Sequence, residues 1–261
     1  TMTEMIVANP RLIGRFQDDV VIVKPLPHLT ARLSRVRIDP RLHALTVEDA
    51  PRFTRALERA QILGSDALAA YAFPYHAIWT SVLPHWWMEF SETFFLFARS
   101  PDGWFMPLPP LGPRPIDETV REAFVLMRRW NGPSPVSRIE NVMEPQRRVL
   151  EQRGFSCRRK DGDYLYKAEA LAALTGDHYK AQRALCNRVE REHVFVTEPY
   201  CARHRAGCLA LYERWASQKQ AGALDTMGAF LLEDAKVAHR RVLAEHEQMG
   251  LAGTVVIAQE R

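Results

Sequence analysis

His85-Trp-Trp-Met-Glu-Phe-Ser-Glu-Thr-Phe-Phe-Leu-Phe-Ala-Arg-Ser-Pro-Asp-Gly-Trp-Phe-Met-Pro-Leu108 contains three β-like runs, 85–90, 93–98 and 103–108, separated by short polar segments. Aromatic side chains suit a pleated surface. Ser100-Pro-Asp-Gly103 offers turn chemistry between the last two runs, with proline at the second position and glycine at the fourth. The stretch therefore reads as an antiparallel meander. Successive strand side chains point to opposite faces, so Trp86 and Trp87 diverge and at least one ring enters the core. A base-stacking or membrane-interface patch made of both rings is correspondingly disfavoured.

Working towards the N-terminus, Tyr71-Ala-Phe-Pro-Tyr-His-Ala-Ile-Trp79 is a dense aromatic segment. Before it, Thr46-x-x-Asp49 provides a cap and an acidic first turn for a helix that tolerates Pro51 early and continues through Phe53, Ala56, Leu57 and Ala60 until Gly64. Farther up, Val20–Lys24 reads as a strand that Pro25 and Pro27 end.

Towards the C-terminus, Pro113 and Pro115 lead into a helix running to about Trp130, and Asn131-Gly-Pro-Ser-Pro135 breaks it. A strand over Val136–Val142, a short helix ending at Arg153-Gly154, and strands Phe155–Arg159 and Tyr164–Lys167 around the turn Asp161-Gly162 follow. From Asp177 to His193, Tyr179, Leu185, Cys186 and Val189 share one helical face while Lys180, Arg183, Asn187, Arg188 and Arg191 fall mostly elsewhere. A strand near Val194–Thr197, helices over 202–219 and 225–248, and a strand over Gly253–Ala258 complete the order. The pattern predicts a mixed α/β (α+β) architecture whose succession of elements restarts near residue 177. It divides into an arm over 1–34, a first domain over 35–175 and a second over 176–261.

A chain of 261 residues that is 47% hydrophobic can bury one large or two moderate cores without covalent staples. Its apolar runs fall short of the roughly 18 residues a membrane-spanning helix needs, and no charged-then-apolar leader opens it. Cys157, Cys186, Cys201 and Cys208 form no CxxC pair and have no histidines at zinc spacing, which predicts four reduced, metal-free thiols and a cytoplasmic location. His239 and His246, seven apart, lack a third ligand. Formal charge is +4. Between Gln146 and His193 eleven Lys/Arg stand against seven Asp/Glu, a surplus equal to that of the whole chain, so the basic character is concentrated around the 177–193 helix.

Two blocks carry a resemblance. The first is Phe73-Pro-Tyr-His-Ala-Ile-Trp79 followed by the meander and Met106-Pro-Leu-Pro-Pro-Leu-Gly112. The second is Asp163-Tyr-Leu-Tyr166, Leu174-Thr-Gly176, Tyr179-Lys-Ala-Gln-Arg183 and Asn187-Arg188-Val189. In order and spacing they resemble the family of uncharacterised proteins that shares its domain with the lipid-aminoacylating C-terminus of bacterial phosphatidylglycerol lysyltransferases. The resemblance covers roughly residues 45–258. The chain departs from it at Ala181, Gln182, Ala184 and Val189, and it lacks the His/Glu/Lys/Tyr motif found in relatives beyond the last strand. The resemblance implies tandem GNAT-like acyltransferase folds, the second of them expected to be incomplete. With that second fold cut short, Gly253–Ala258 is expected to pair with the first domain's sheet or with a neighbouring molecule.

The chemistry implied is transfer of an aminoacyl or related acyl group, from aminoacyl-tRNA, to an amine or hydroxyl on a lipid or small molecule, with no cofactor and no metal. An ester is already activated, so holding the acceptor against it and stabilising the oxyanion supply most of the acceleration. On this reading Lys180, Arg183, Arg188 and Arg191 engage tRNA phosphates or another polyanion and Asn187 fixes orientation. Tyr164, Tyr166, Tyr75 and Trp79 are candidates to line a cleft. The plainer reading makes the helix a solvated basic face with arginines paired to Asp177, Glu190 or Glu192, and makes the aromatic residues packing groups. The acetyl-CoA pyrophosphate loop of ordinary GNAT enzymes has no complete copy. The closest, Arg129-Trp-Asn-Gly-Pro-Ser134, inserts a proline that lacks an N–H. An acyl-CoA-dependent N-acyltransferase and a non-catalytic binding protein are the alternatives. Serine-hydrolase, P-loop and dinucleotide-binding signatures are absent.

Overall fold

A computed structural model describes residues 39–62, 68–159, 166–221 and 226–260. The strand expected at Val20–Lys24, Gly64, the Asp161-Gly162 turn and Tyr164 lie outside them.

The meander forms, although its third strand ends at Phe105 rather than Leu108. Strands β1 (His43–Ala44), β2 (His85–Phe90), β3 (Thr93–Ser100) and β4 (Gly103–Phe105) make one antiparallel sheet in that spatial order. Trp87 faces Leu96, Trp86 faces Phe97 and Met88 faces Phe95 across β2–β3, and Ser100 pairs with Gly103 around the Pro101-Asp102 turn. From Thr93 to Ala98 every residue of β3 is buried. This continuity arises because both faces of the sheet are covered. Trp87, Phe94 and Leu96 pack on one side with Phe53, Phe73 and Leu111, while Met88, Phe95, Phe97 and Trp104 pack on the other with Ala123 and Met127. The two tryptophans thus enter opposite cores, Trp86 lying against Trp104 at 4.9 Å.

The first core is closed by α1 (Ala50–Arg59) and α2 (Phe73–Ala77). Helix α1 starts as the sequence indicates. The Thr46 N–H donates to Asp49 Oδ2 at 2.9 Å, a 3-10 turn spans Val47–Asp49, and Pro51 sits in the first turn where its missing N–H costs nothing. Helix α3 (Ile116–Asn131) covers the second face and ends at Gly132, whose φ of 57° lies in the left-handed region. Leu111 runs beside β3, exchanging backbone hydrogen bonds with Phe94 at 2.7 and 2.9 Å. A Cβ at Gly112 would lie 2.7 Å from Glu92 O and 2.9 Å from Thr93 Cα, so only glycine lets the Pro-Pro-Leu-Gly segment approach this closely.

The strand expected over Val136–Val142 does not form; only Ile139 bridges Met106, in parallel. The Asn131 side chain explains why. Its Oδ1 accepts the Trp104 N–H at 2.7 Å and its Nδ2 donates to Trp104 O at 2.8 Å, so an amide occupies the edge positions a neighbouring strand would use. Residues 155–159, also expected as a strand, are irregular, and Phe155 stacks on Phe124 of α3 at 6.3 Å rather than joining a sheet. Between the two segments lies α4 (Glu144–Gln152), the expected short helix.

The C-terminal part contains α5 (Ala168–Ala173), α6 (Lys180–Glu192), β5 (His193–Pro199), α7 (Arg205–Ala221), α8 (Thr226–Glu245) and β6 (Thr254–Glu260). Strand β6 pairs antiparallel with β5 from His193↔Glu260 to Pro199↔Thr254, which corrects the expectation that it would join the first sheet or another molecule. This two-stranded sheet leaves Val194, Val196 and Val256 exposed. The two parts of the chain meet where Met249, buried at 4% exposure, packs into the first core. Arg241 on α8 also donates to the Thr80 and Ser81 hydroxyls.

Candidate functional site

The basic surplus is realised on α6. It begins after a 3-10 turn at Asp177–Tyr179 and buries none of its residues. Lys180, Asn187, Arg188 and Arg191 are exposed. Arg188 Nε lies 3.9 Å from Glu192 Oε2 and Arg191 Nη2 lies 3.8 Å from Glu192 Oε1, so one carboxylate is shared by two guanidinium groups in solvent. Exposed pairs of this kind contribute at most about 1 kcal/mol. Arg183 is different. It is half-buried, and its Nη1 donates to Leu174 O and, at 2.6 Å, to Gly176 O. Both carbonyls belong to the turn after α5, where Leu174 has a φ of 47° and Gly176 a φ of 91°. Arg183 therefore pins this turn to α6.

Among the aromatic candidates, Tyr75, Trp79 and Tyr166 are exposed by 41%, 37% and 51%, so none is an interior packing residue. Their neighbours fill the interior instead. His76 Nε2 donates to Ala70 O at 2.7 Å and His85 Nδ1 donates to Leu83 O at 2.6 Å, with the two rings 5.5 Å apart. Burial pushes His76 down to about 3, with further lowering from His85, and pushes His85 down to about 4. Both rings are neutral at physiological pH. His246 lies beyond the end of α8, where it meets the Tyr200 ring edge-on at 4.8 Å, so it does not share a helical face with His239.

A second group of polar residues surrounds a cleft of about 730 Å³ between α1 and the β2–β3 hairpin. Arg52 and Arg59 are seven residues apart on one face of α1, and Trp87 and Glu89 are two apart on one face of β2. Arg52 Nη1 donates to Glu89 Oε2 at 3.0 Å while Arg59 Nη2 donates to Oε1, so Glu89 has both oxygens engaged. The Arg52 guanidinium lies 4.4 Å above the Trp87 ring, and His43 stacks on that ring at 4.6 Å. Arg41 at the margin is held by a two-pronged pair with Asp39, which keeps that carboxyl down at about 2. Arg59 Nε and Trp87 Nε1 are buried without a hydrogen-bond partner. Tyr75, Trp79 and Tyr166 do not line this cleft. The periodicities that bring the arginines and Trp87/Glu89 together were readable in the sequence. The approach of α1 to β2 was not.

Arg59 also borders a smaller recess of about 320 Å³, together with Gln61, Gly112, Arg114 and Gln146. Among the described residues, no group of three or more His, Cys, Asp or Glu is arranged to hold a metal ion. No described helix is long and apolar enough to cross a membrane.

Comparison with known proteins adds two findings. The family model described as phosphatidylglycerol lysyltransferase, C-terminal, matches residues 65–261. A conserved protein of unknown function from Bacteroides thetaiotaomicron VPI-5482, known from its crystal structure, is similar in fold. Its TM-score is 0.69 at 16% identity, over 86% of this chain and 73% of that one. No protein of curated function matches.

Proposed function

The chain belongs to the family of phosphatidylglycerol lysyltransferase C-terminal domains, and from that premise we propose that it transfers an aminoacyl or related acyl group to an amine or hydroxyl acceptor on a lipid or small molecule. Aminoacyl transfer to a lipid is the chemistry the family's name describes. In the reaction proposed here, the acceptor nitrogen or oxygen attacks the ester carbonyl of an aminoacyl-tRNA. The carbon–oxygen bond to the tRNA ribose breaks, and the ribose hydroxyl leaves with the proton that the acceptor gives up. Tandem GNAT-like folds, divided near residue 176, belong to the same proposal.

The observation that carries the tRNA part is the solvent-facing cation row on α6. Lys180 stands exposed, and among the described residues Arg188 and Arg191 are paired only with the shared Glu192. A phosphate backbone can displace so weak a pair, because a charge-assisted bond to phosphate is stronger and binding releases counterions. Arg183, engaged by two carbonyls, acts in this account as a structural tether rather than a phosphate contact.

The test is a mass-spectrometric comparison of lipid and soluble extracts from cells with and without the gene. An aminoacylated lipid or metabolite that disappears with the gene and returns with the wild-type copy is the expected result. Identical profiles in both strains would remove the transfer reading.

A further inference from the structure

We propose that the cleft between α1 and the β2–β3 hairpin is a binding site for a phosphate group, held by Arg52, Arg59 and the Trp87 indole. Arg41, His43, Arg52 and Arg59 precede the segment matched by the family model, which begins at residue 65, whereas Trp87 and Glu89 lie within it, so the cleft joins matched and unmatched parts of the chain. The inference is independent of the transfer reaction and stands or falls separately.

The hydrogen-bonding inventory identifies the ligand chemistry. Glu89, the carboxylate at the centre, has one oxygen bonded to Arg52 and the other to Arg59, so neither is left without a donor. Unused donors are left over. Trp87 is only 8% exposed, and its Nε1–H has no partner; the Arg59 Nε–H is likewise buried and unpartnered. A buried donor without an acceptor is costly, and native structures rarely retain one without a reason. A ligand suited to this cleft must therefore bring acceptors, and two guanidinium groups facing one carboxylate favour a negatively charged one. A phosphate oxyanion offers several acceptor oxygens to guanidinium forks. The remaining carboxylate at the rim, Glu92, is exposed, where water screens it.

The geometry also provides a route in. Arg52 is held over the Trp87 face by a cation–π contact and by its bond to Glu89, and its side chain is 40% exposed. A phosphate arriving from solvent reaches the exposed Arg41 and the part-exposed Arg52, and competes with Glu89 for Arg52. Trp87 and Arg59, which carry the unpartnered N–H groups, line the same cleft. The hairpin turn at the rim, Ser91-Glu92, has φ of 48° and 58° in two residues that are not glycine. Positive φ at both positions is the geometry by which a two-residue loop joins twisted antiparallel strands.

Inorganic phosphate titrated calorimetrically into the purified chain tests the site, alongside co-sedimentation with vesicles of phosphatidylcholine alone or mixed equally with phosphatidylglycerol. Wild type is expected to bind inorganic phosphate or the phosphatidylglycerol vesicles. Arg59→Gln should weaken that binding at least tenfold, and Trp87→Phe, which keeps a ring but removes the N–H, several-fold. Glu89→Gln is the decisive variant, because neutralising the competing carboxylate should tighten binding several-fold, a gain that a folding defect cannot imitate. Binding to phosphate alone identifies a soluble phosphoester as the source, and binding to the anionic vesicles alone identifies a lipid headgroup. Absence of both in wild type, or unchanged affinity in Glu89→Gln and Arg59→Gln, overturns the proposal.

Discussion

Acidification should destabilise this protein well above the pH at which carboxylates protonate, and the cause is the buried His76–His85 pair. In the unfolded chain each imidazole titrates near 6.5, whereas burial holds His76 at about 3 and His85 at about 4 in the fold. Between those values the unfolded state binds protons that the folded state refuses, so stability is full above pH 6.5 and declines as pH falls towards the folded values. Each ring costs about 1.4 kcal/mol per pH unit in that window, so the pair removes about 5 kcal/mol between pH 7.5 and 4.5. That is comparable to the entire stability of many domains. Asp39 and Glu144 are held at about 2 by their arginine partners, so their contribution is lost only at lower pH and does not mask the effect. Urea unfolding followed by far-ultraviolet circular dichroism at intervals across that range measures it. The His76→Gln/His85→Gln double variant retains amide donors for Ala70 O and Leu83 O but cannot titrate. It should start less stable and show a much flatter pH dependence. A wild-type free energy that stays level from pH 7.5 to 5, or a double variant with the wild-type slope, would refute the buried-neutral account.

Other consequences follow from particular contacts. Asn131→Ala removes the amide that satisfies both backbone groups of Trp104 and should cost about 1–3 kcal/mol in thermal or urea unfolding. Gly112→Ala forces a Cβ against backbone that cannot move aside and should cost about 1–3 kcal/mol. Gly132→Ala meets open space but must hold φ 57° and ψ −127°, a conformation nearly confined to glycine, and should cost about 1–3 kcal/mol through the backbone alone. In filter-binding assays with tRNA, Arg188→Ala/Arg191→Ala should reduce the slope of log affinity against log salt by about 1–2. Arg183→Ala should leave that slope nearly unchanged and lower the unfolding midpoint.

What the sequence disclosed and what it withheld divide along local and long-range physics. The meander, the Thr46–Asp49 helix start and the helix ending at Asn131-Gly132 depend on residues close in the chain, and all were legible from turn chemistry, capping and periodicity. The supposed strand 136–142 was not, because its failure depends on Asn131 taking the edge of Trp104 from 27 residues away. The run after Gly154 has strand-like composition, but Phe155 found a closer partner in Phe124 on α3. Within the candidate site, the exposed cations of α6 were readable from helical spacing, while the bonds of Arg183 to two carbonyls were not, because those carbonyls lie in a positive-φ turn that charge counting does not reveal. The arginine–tryptophan cleft was missed because it joins α1 to β2, and only the packed fold places Arg59 beside Glu89.

Aminoacyl transfer itself provides the most direct measurement. Purified protein would be incubated with a mixed tRNA pool charged with radiolabelled amino acids, together with membrane lipid and small-molecule acceptors bearing amines or hydroxyls, in the absence of coenzyme A. The account predicts protein-dependent movement of label from tRNA into an acylated lipid or soluble product, with a lower rate for Arg188→Ala/Arg191→Ala. Label that remains on tRNA or appears only as free amino acid, while an acyl-coenzyme A donor supports transfer to the same acceptors, would contradict it.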